Sequence, residues 1–247
     1  MTDAVERTID SLMAARGQPL AGDGLPVLRV ADAYRVQAAL VDRRGLEVGG
    51  WKLALVAAAT LDAPLAATTI PASGVRPRRV PGRKLLIETE LAVRLGRDLP
   101  GQATRYDRDD VLAAIDTLHP AVEVVCARGG KPPATPFPDF LADCLGNDAT
   151  VVGRGFYPGA WPLIGALERD GENIAQRGHP AGDPLAALVA WTNPQSDALG
   201  GLRRGLMILL GSFTGIVAMP GTGPVAFRGL FAGLDAADVH FTDLEQA

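Results

Sequence analysis

The chain has 247 residues, of which 47% are hydrophobic and 21% charged, and its formal net charge is −4. That length suits one large domain with a sizeable core, and mild acidity without a Lys/Arg-rich block argues against nucleic acid as a partner. Cys126 and Cys144 form no CxxC pair and fit no metal-ligand spacing, so they read as small packed hydrophobes.

The opening stretch, MTDAVERTIDSLMAARG, predicts an amphipathic helix over residues 3–16. It has acids early and lacks the basic start and apolar run of a signal peptide, so a cytoplasmic location is expected. VADAYRVQAALVDRRG predicts a second helix, with Asp32 near its start and Gly45 after a basic last turn. From WKLALV onward the texture changes to short apolar segments punctuated by Gly and Pro, which predict strands.

KLLIETELAVRLGRDL (Lys84 to Leu99) reads as one such strand. Alternation would line one face with Ile87, Thr89 and Leu91 and the other with Glu88, Glu90 and Ala92. Two carboxylates side by side repel, so that face meets either water or a positive charge. Residues 107–118, DRDDVLAAIDTL, predict a helix with acids in its first turn. PAVEVVCA predicts a strand directly after it.

RGGKPPATPFPDF (residues 128–140) is too rich in Gly and Pro for regular structure, and its length and position predict a lid loop. DFLADCLG predicts one or two helical turns. Asp170-Gly171, between two polar–apolar alternations, predicts a hairpin. DPLAALVAWTNPQSDALG predicts a helix ending before Pro194. Leu206 to Phe227 carries no charge, but its glycines and prolines break it into pieces too short for a membrane-spanning helix, so buried strands joined by turns are expected. Two helices followed by many strands with inserted helices argue for an α+β fold: residues 1–48 a helical N-terminal region, 49–247 the main domain.

Glu123 is the single residue charged at neutral pH between Pro120 and Ala127. A lone buried carboxylate is costly unless paired, hydrogen-bonded or metal-bound, so Glu123 either sits on a wet edge or belongs to a site. With Glu88 and Glu90 it supplies three carboxylates from two strands, a donor set for a hard divalent cation such as Mg²⁺, Mn²⁺ or Ca²⁺. Lys52 is the single charge between Gly49 and Leu61. It either snorkels to water or acts as a base with a lowered pKa.

Several segments, in order from Asp32 to the C-terminus, resemble the 2-keto-4-pentenoate hydratases of the fumarylacetoacetate hydrolase superfamily. They are DAYRVQ, GWKLAL, IETELAVRLGRDLP, PAVEVVCAR, DFLADCLGN, GDPLAALVAW, LLGSFTG and MPGTGPVAFRGLFAGL. The resemblance implies a mixed β-roll with short helices and a small helical N-terminal region. It carries the metal ligands onto Glu88, Glu90 and Glu123, and the strand lysine onto Lys52. It implies a magnesium- or manganese-dependent hydratase, usually a homo-oligomer, acting on a small 2-oxo or 2-hydroxydienoic acid of aromatic catabolism. In that chemistry Lys52 is the first candidate for proton transfer, and Ser212 and Thr214 are candidates to bind the substrate carboxylate. Arg128 reaches an anion or forms a structural pair with an acid.

The sequence also departs from the family pattern. The family's loop aspartate has no counterpart between Lys52 and Glu88, where Asp62 is the one acid and its setting differs. ADNAS has become ADCLG, and a late AGD has become Arg204–Leu206. Relatives on this scaffold decarboxylate 2-oxo diacids or hydrolyse acylpyruvates, the latter with a His–Glu pair that His119 does not clearly match. These two activities, and a non-catalytic binder of metal and 2-oxo acid, are the alternatives.

Overall fold

The computed structural model describes residues 3–15, 28–56, 59–77, 83–101, 105–126, 128, 137–157, 161, 164–193 and 198–242. Helix α1 (Asp3–Ala15) buries Val5, Ile9 and Leu12, and helix α2 (Val30–Arg43) buries Ala33, Val36 and Leu40. Each set follows the three-to-four spacing of one helical face. The two faces close over Ala63, Leu141, Ala142 and Leu145. Gln37 lies within this seam, and its amide donates to the carbonyls of Leu141 (2.7 Å) and Asp62 (3.3 Å). Gly45, at φ +57°, turns the chain out of α2.

Strands β1 (Val48–Val56), β2 (Ala59–Ala66), β3 (Leu86–Leu95), β4 (Ile115–Val125) and β5 (Asn147–Val152) follow, with helices α3 (Arg108–Ala113) and α4 (Phe137–Ala142) between them. Next come β6 (Ile164–Arg169), β7 (Glu172–Gly178), helix α5 (Leu185–Thr192), β8 (Met207–Ser212), β9 (Val217–Ala218), β10 (Val225–Phe231) and β11 (Ala237–Phe241). One sheet has the order β2-β1-β8-β3-β4-β5, with β9 alongside β3; the other has the order β11-β10-β6-β7. β1 and β8 run parallel and the other pairs antiparallel, so the sheet is mixed and the fold is α+β, as the element order predicts.

β3 divides the interior. Ile87 packs with Val122, Val124, Leu167, Phe227 and Val239 between the two sheets. Leu91, Val93 and Leu95 pack with Trp51, Leu53, Ile208 and Leu210 beneath α5. The opposite face carries Glu88, Glu90 and Ala92, with Ala92, Ala121, Leu65 and Leu209 forming a small-residue floor. Asp170 and Gly171 both have positive φ (51° and 86°), the primed turn that closes the predicted β6–β7 hairpin. The uncharged segment from Leu206 resolves into β8, β9 and β10. Among the described residues no helix is long and apolar enough to cross a membrane.

Two expectations need correction. The helix predicted over 107–118 ends at Ala113, because Ile115 and Thr117 pair with Leu95 and Arg94 and extend β4 through Pro120. Cross-strand pairing overrides the helical periodicity of the last turn. Asp107 caps the short helix, its carboxylate accepting from the Asp110 N–H. The predicted loop over 128–140 is also shorter, since Phe137–Phe140 already belong to α4. Its central stretch, 129–136, lies outside the described residues.

Candidate metal centre

The antiparallel register of β3 and β4 sets Glu88 directly opposite Glu123, and alternation brings Glu90 to the same face. One carboxylate oxygen from each lies within 4.8 Å of the others, and the residues are 7%, 1% and 0% exposed. The wet-edge alternative for Glu123 is therefore excluded: β4 is an interior strand, paired with β5 on its other side.

β1 brings Lys52 to these acids. Trp51 and Leu53 enter the main core, which turns Lys52 to the opposite face. Its Nζ lies 2.6 Å from Glu123 Oε2 and 3.9 Å from Glu88 Oε2, and donates to the Leu145 carbonyl at 3.4 Å. Lys52 is 6% exposed, so it does not snorkel to water. Burial lowers its pKa, but attraction to Glu123, Glu88 and Glu90 outweighs that and raises it above the ordinary lysine value. With no cation beside them, the three acids oppose the lowered pKa expected of a base and favour the ammonium form of Lys52.

The Leu145 carbonyl is aimed by unusual backbone. Cys144, Leu145 and Gly146 have φ of 50°, 52° and 67°, the left-handed region in which a non-glycine residue costs on the order of 1–3 kcal/mol. The next residue, Asn147, donates from Nδ2 to Glu123 Oε1 (2.9 Å) and to Thr150 Oγ1 (3.0 Å). A bulge in β8 serves Glu90. Glu90 pairs with Ser212 while Ala92 pairs with Leu209, so β8 carries one extra residue. Gly211 sits there at φ +109°, and its N–H donates to Glu90 Oε2 at 3.0 Å. Sequence reasoning missed Asn147 and Gly211. "GN" after the ADCLG segment was the available signal for the first, and nothing local marks the second.

The remaining candidates divide. The Ser212 hydroxyl accepts from the Gly215 N–H, and Ser212 pairs with Glu90 across the β3–β8 ladder. The Thr214 hydroxyl accepts from the Thr89 N–H and donates to the Gly215 carbonyl, so it is committed to backbone. Arg128 forms the structural pair: its Nε lies 2.5 Å from Asp143 Oδ1, and its other nitrogens reach the carbonyls of Asp143 and Asn147. His119 shares the Glu123 face of β4 but bonds Thr117 Oγ1 and the Gly153 carbonyl through its two ring nitrogens. Asp62 pairs with Leu53, on the face away from Lys52, and accepts from the Tyr34 hydroxyl.

The donor set fits a divalent cation. Glu90 Oε1 is buried with no hydrogen-bond partner, and Glu123 Oε2 has Lys52 as an ion-pair partner without accepting a well-directed hydrogen bond. Ionised, three carboxylates and one ammonium leave two negative charges, which a divalent cation neutralises. The all-oxygen set suits a hard ion at the usual ~2.0–2.6 Å.

No protein-family model matches the sequence, and no curated protein sequence matches it. Solved structures do. 4-Oxalocrotonate decarboxylase from Pseudomonas putida G7, complexed with magnesium and adipate, is 21% identical, with a TM-score of 0.78 over 97% of this chain and 99% of that one. The chain has the fumarylacetoacetate hydrolase fold. The same decarboxylase complexed with calcium and acetate aligns at a TM-score of 0.77 and 21% identity, over 98% of each chain. Fumarylpyruvate hydrolase from Pseudomonas aeruginosa, in complex with Mn²⁺ and pyruvate, aligns at 0.54 and 14% identity, over 75% of this chain and 79% of that one.

Burial and the other carboxylates affect proton binding here. Burial raises Glu88 to about 7, against the lowering pull of Lys52, and burial with the neighbouring Glu123 charge holds Glu90 well above the usual carboxylate range. A raised folded-state pKa means that the folded chain holds the proton more tightly than the unfolded chain. The stability it contributes is present below the ordinary value of 4.5 and is lost as pH rises toward 7. Without divalent cation, thermal stability is therefore expected to fall across that window, and saturating Mg²⁺ is expected to remove the fall. Calorimetric melting temperatures between pH 4.5 and 7.5, with and without Mg²⁺, check this; a melting temperature rising through the window without Mg²⁺ would contradict it.

Proposed function

We propose that the protein is a divalent-cation-dependent lyase acting on a small 2-oxo acid, with decarboxylation of an unsaturated 2-oxo diacid favoured over hydration of a 2-hydroxydienoate. The observation that carries this is the buried triad Glu88, Glu90 and Glu123 with the Lys52 ammonium against it. The three glutamates would hold the cation, which when bound supplies Lewis acidity toward the carboxylate and 2-oxygen of a 2-oxo acid.

Decarboxylation breaks the bond to the departing carboxylate and moves its electron pair through the conjugated system to the 2-oxygen. That step needs positive charge near the oxygen and no activated water. Lys52, as an ammonium against the buried acids, would supply a fixed positive charge among buried groups, where charge counts most. Hydration needs a base to activate water. Among the described residues the other acids and imidazoles considered for that work are engaged elsewhere: Asp62 with Tyr34, and His119 with Thr117 and Gly153. Ser212 remains the candidate hydroxyl for substrate, since Thr214 is committed to backbone. The likeness to the decarboxylase, which extends over the N-terminal helices as well as the sheets, supports the same reading.

The test is steady-state turnover with Mg²⁺ or Mn²⁺ against unsaturated 2-oxo diacids, 2-hydroxydienoates and acylpyruvates, following CO₂ release and water incorporation together. CO₂ from the diacids is the expected result. Water addition to the dienoates would select the hydratase, and cleavage of acylpyruvates the hydrolase. Cation binding without turnover would select the non-catalytic binder.

A further inference from the structure

His179, immediately after β7, is 7% exposed and has no part in the chemistry above. Its Nδ1 accepts from the Ala181 N–H at 3.2 Å. Nδ1 is then the acceptor, so the ring proton is on Nε2, which donates to the Leu210 carbonyl at 3.1 Å. Phe213 holds the ring edge-on, with centroids 5.1 Å apart.

The Leu210 carbonyl and the Gly211 N–H belong to one planar peptide group. His179 binds its oxygen, and its N–H binds Glu90 Oε2 at 3.0 Å. The peptide lies in the β8 bulge, where the ladder is interrupted and the strand alone does not fix its orientation. A hydrogen bond accepted at the carbonyl also polarises the N–H on the other side. The ring fills the space that a side chain at position 211 would need, for an added Cβ would lie 3.0 Å from His179 Nε2. Bulge, glycine and imidazole therefore form one arrangement directed at Glu90.

We infer that His179 is a positioning residue for Glu90, acting through the peptide group between Leu210 and Gly211. The inference rests on the reading of Glu90 as a cation ligand. Groups that orient a ligand from behind usually cost about 10–100-fold in metal affinity when removed.

The experiment uses the full chain and Mn²⁺ alone, with binding followed by the electron paramagnetic resonance of the free ion. His179→Phe keeps a ring against Phe213 but removes the donor, and is expected to weaken Mn²⁺ binding by roughly 10–100-fold with an unchanged far-ultraviolet spectrum. His179→Gln retains a donor and is expected to recover part of that loss, which a purely space-filling role would not produce. His179→Asn is too short to reach Leu210; it should behave as the Phe variant does, and it serves if that variant fails to fold. In the amide spectrum the Gly211 resonance should shift with loss of the donor and return with Gln. Parental Mn²⁺ affinity in the Phe or Asn variant would overturn the inference while leaving the metal centre standing. A parent chain that does not bind Mn²⁺ would overturn both.

Discussion

Replacing Glu123 with alanine is expected to abolish divalent-cation binding and to destabilise the fold by about 3–5 kcal/mol, the scale for removing one partner of a buried ion pair. Glu123 is fully buried, with Lys52 Nζ 2.6 Å from one oxygen and Asn147 Nδ2 2.9 Å from the other. Without it, Lys52 keeps Glu88 at 3.9 Å and a carbonyl at 3.4 Å, both poor compensation for a buried ammonium. Glu123→Gln keeps the shape and an acceptor for Asn147, so it should cost less stability while still impairing the ion site. Urea unfolding with a calorimetric Mg²⁺ titration measures both effects. An alanine variant with the parental urea midpoint would show that the pair is not structural.

Lys52→Met is expected to act in the opposite sense on cation dependence. Three mutually repelling carboxylates lose the Lys52 counter-charge, so the variant should melt lower than the parent without divalent cation and recover most of the difference when Mg²⁺ is added. Under the proposed function its turnover should still fall by roughly 10²-fold or more, the scale for losing a positioned catalytic group. Melting curves and rates at saturating Mg²⁺ separate the two effects. Near-parental turnover would show that the substrate oxygen is stabilised by other groups.

The acids were legible because a period of two is the simplest strand signal. Glu88 and Glu90 declare a shared face in IETELAV, and a lone acid in PAVEVVCA asks for a partner. The Trp51–Lys52–Leu53 alternation likewise separates one charge from two core residues. What stayed hidden depends on backbone and on distant elements. The Gly211 N–H, the Leu145 carbonyl and the His179 ring have no side-chain pattern that announces them; they matter because a bulge and a left-handed turn bring them into line. Arg128 was ambiguous for a different reason: a guanidinium suits an anion or an aspartate equally, and the choice fell to Asp143, the residue directly after α4. The helix drawn over 107–118 failed because three-to-four spacing in DTL costs less to abandon than the β3 ladder does.

The parallel pairing of β1 with β8 joins an early strand to a late one, Lys52 lying beside Leu209. Its consequence is kinetic. Lys52, the Glu88–Glu90 pair, Glu123, Asn147 and Gly211 come from well-separated parts of the chain, so loop-closure entropy must be overcome before they meet. Folds dominated by such distant pairings form slowly, commonly in milliseconds to seconds. The three carboxylates can meet once β3 pairs with β4, but the Lys52 counter-charge and the Gly211 N–H arrive only when β1 and β8 have joined the sheet, so the finished site is a late product of assembly. Stabilisation gained that late in assembly acts mainly on the rate of unfolding. The ion would then be less a nucleus than a lock, lengthening the lifetime of a chain already folded.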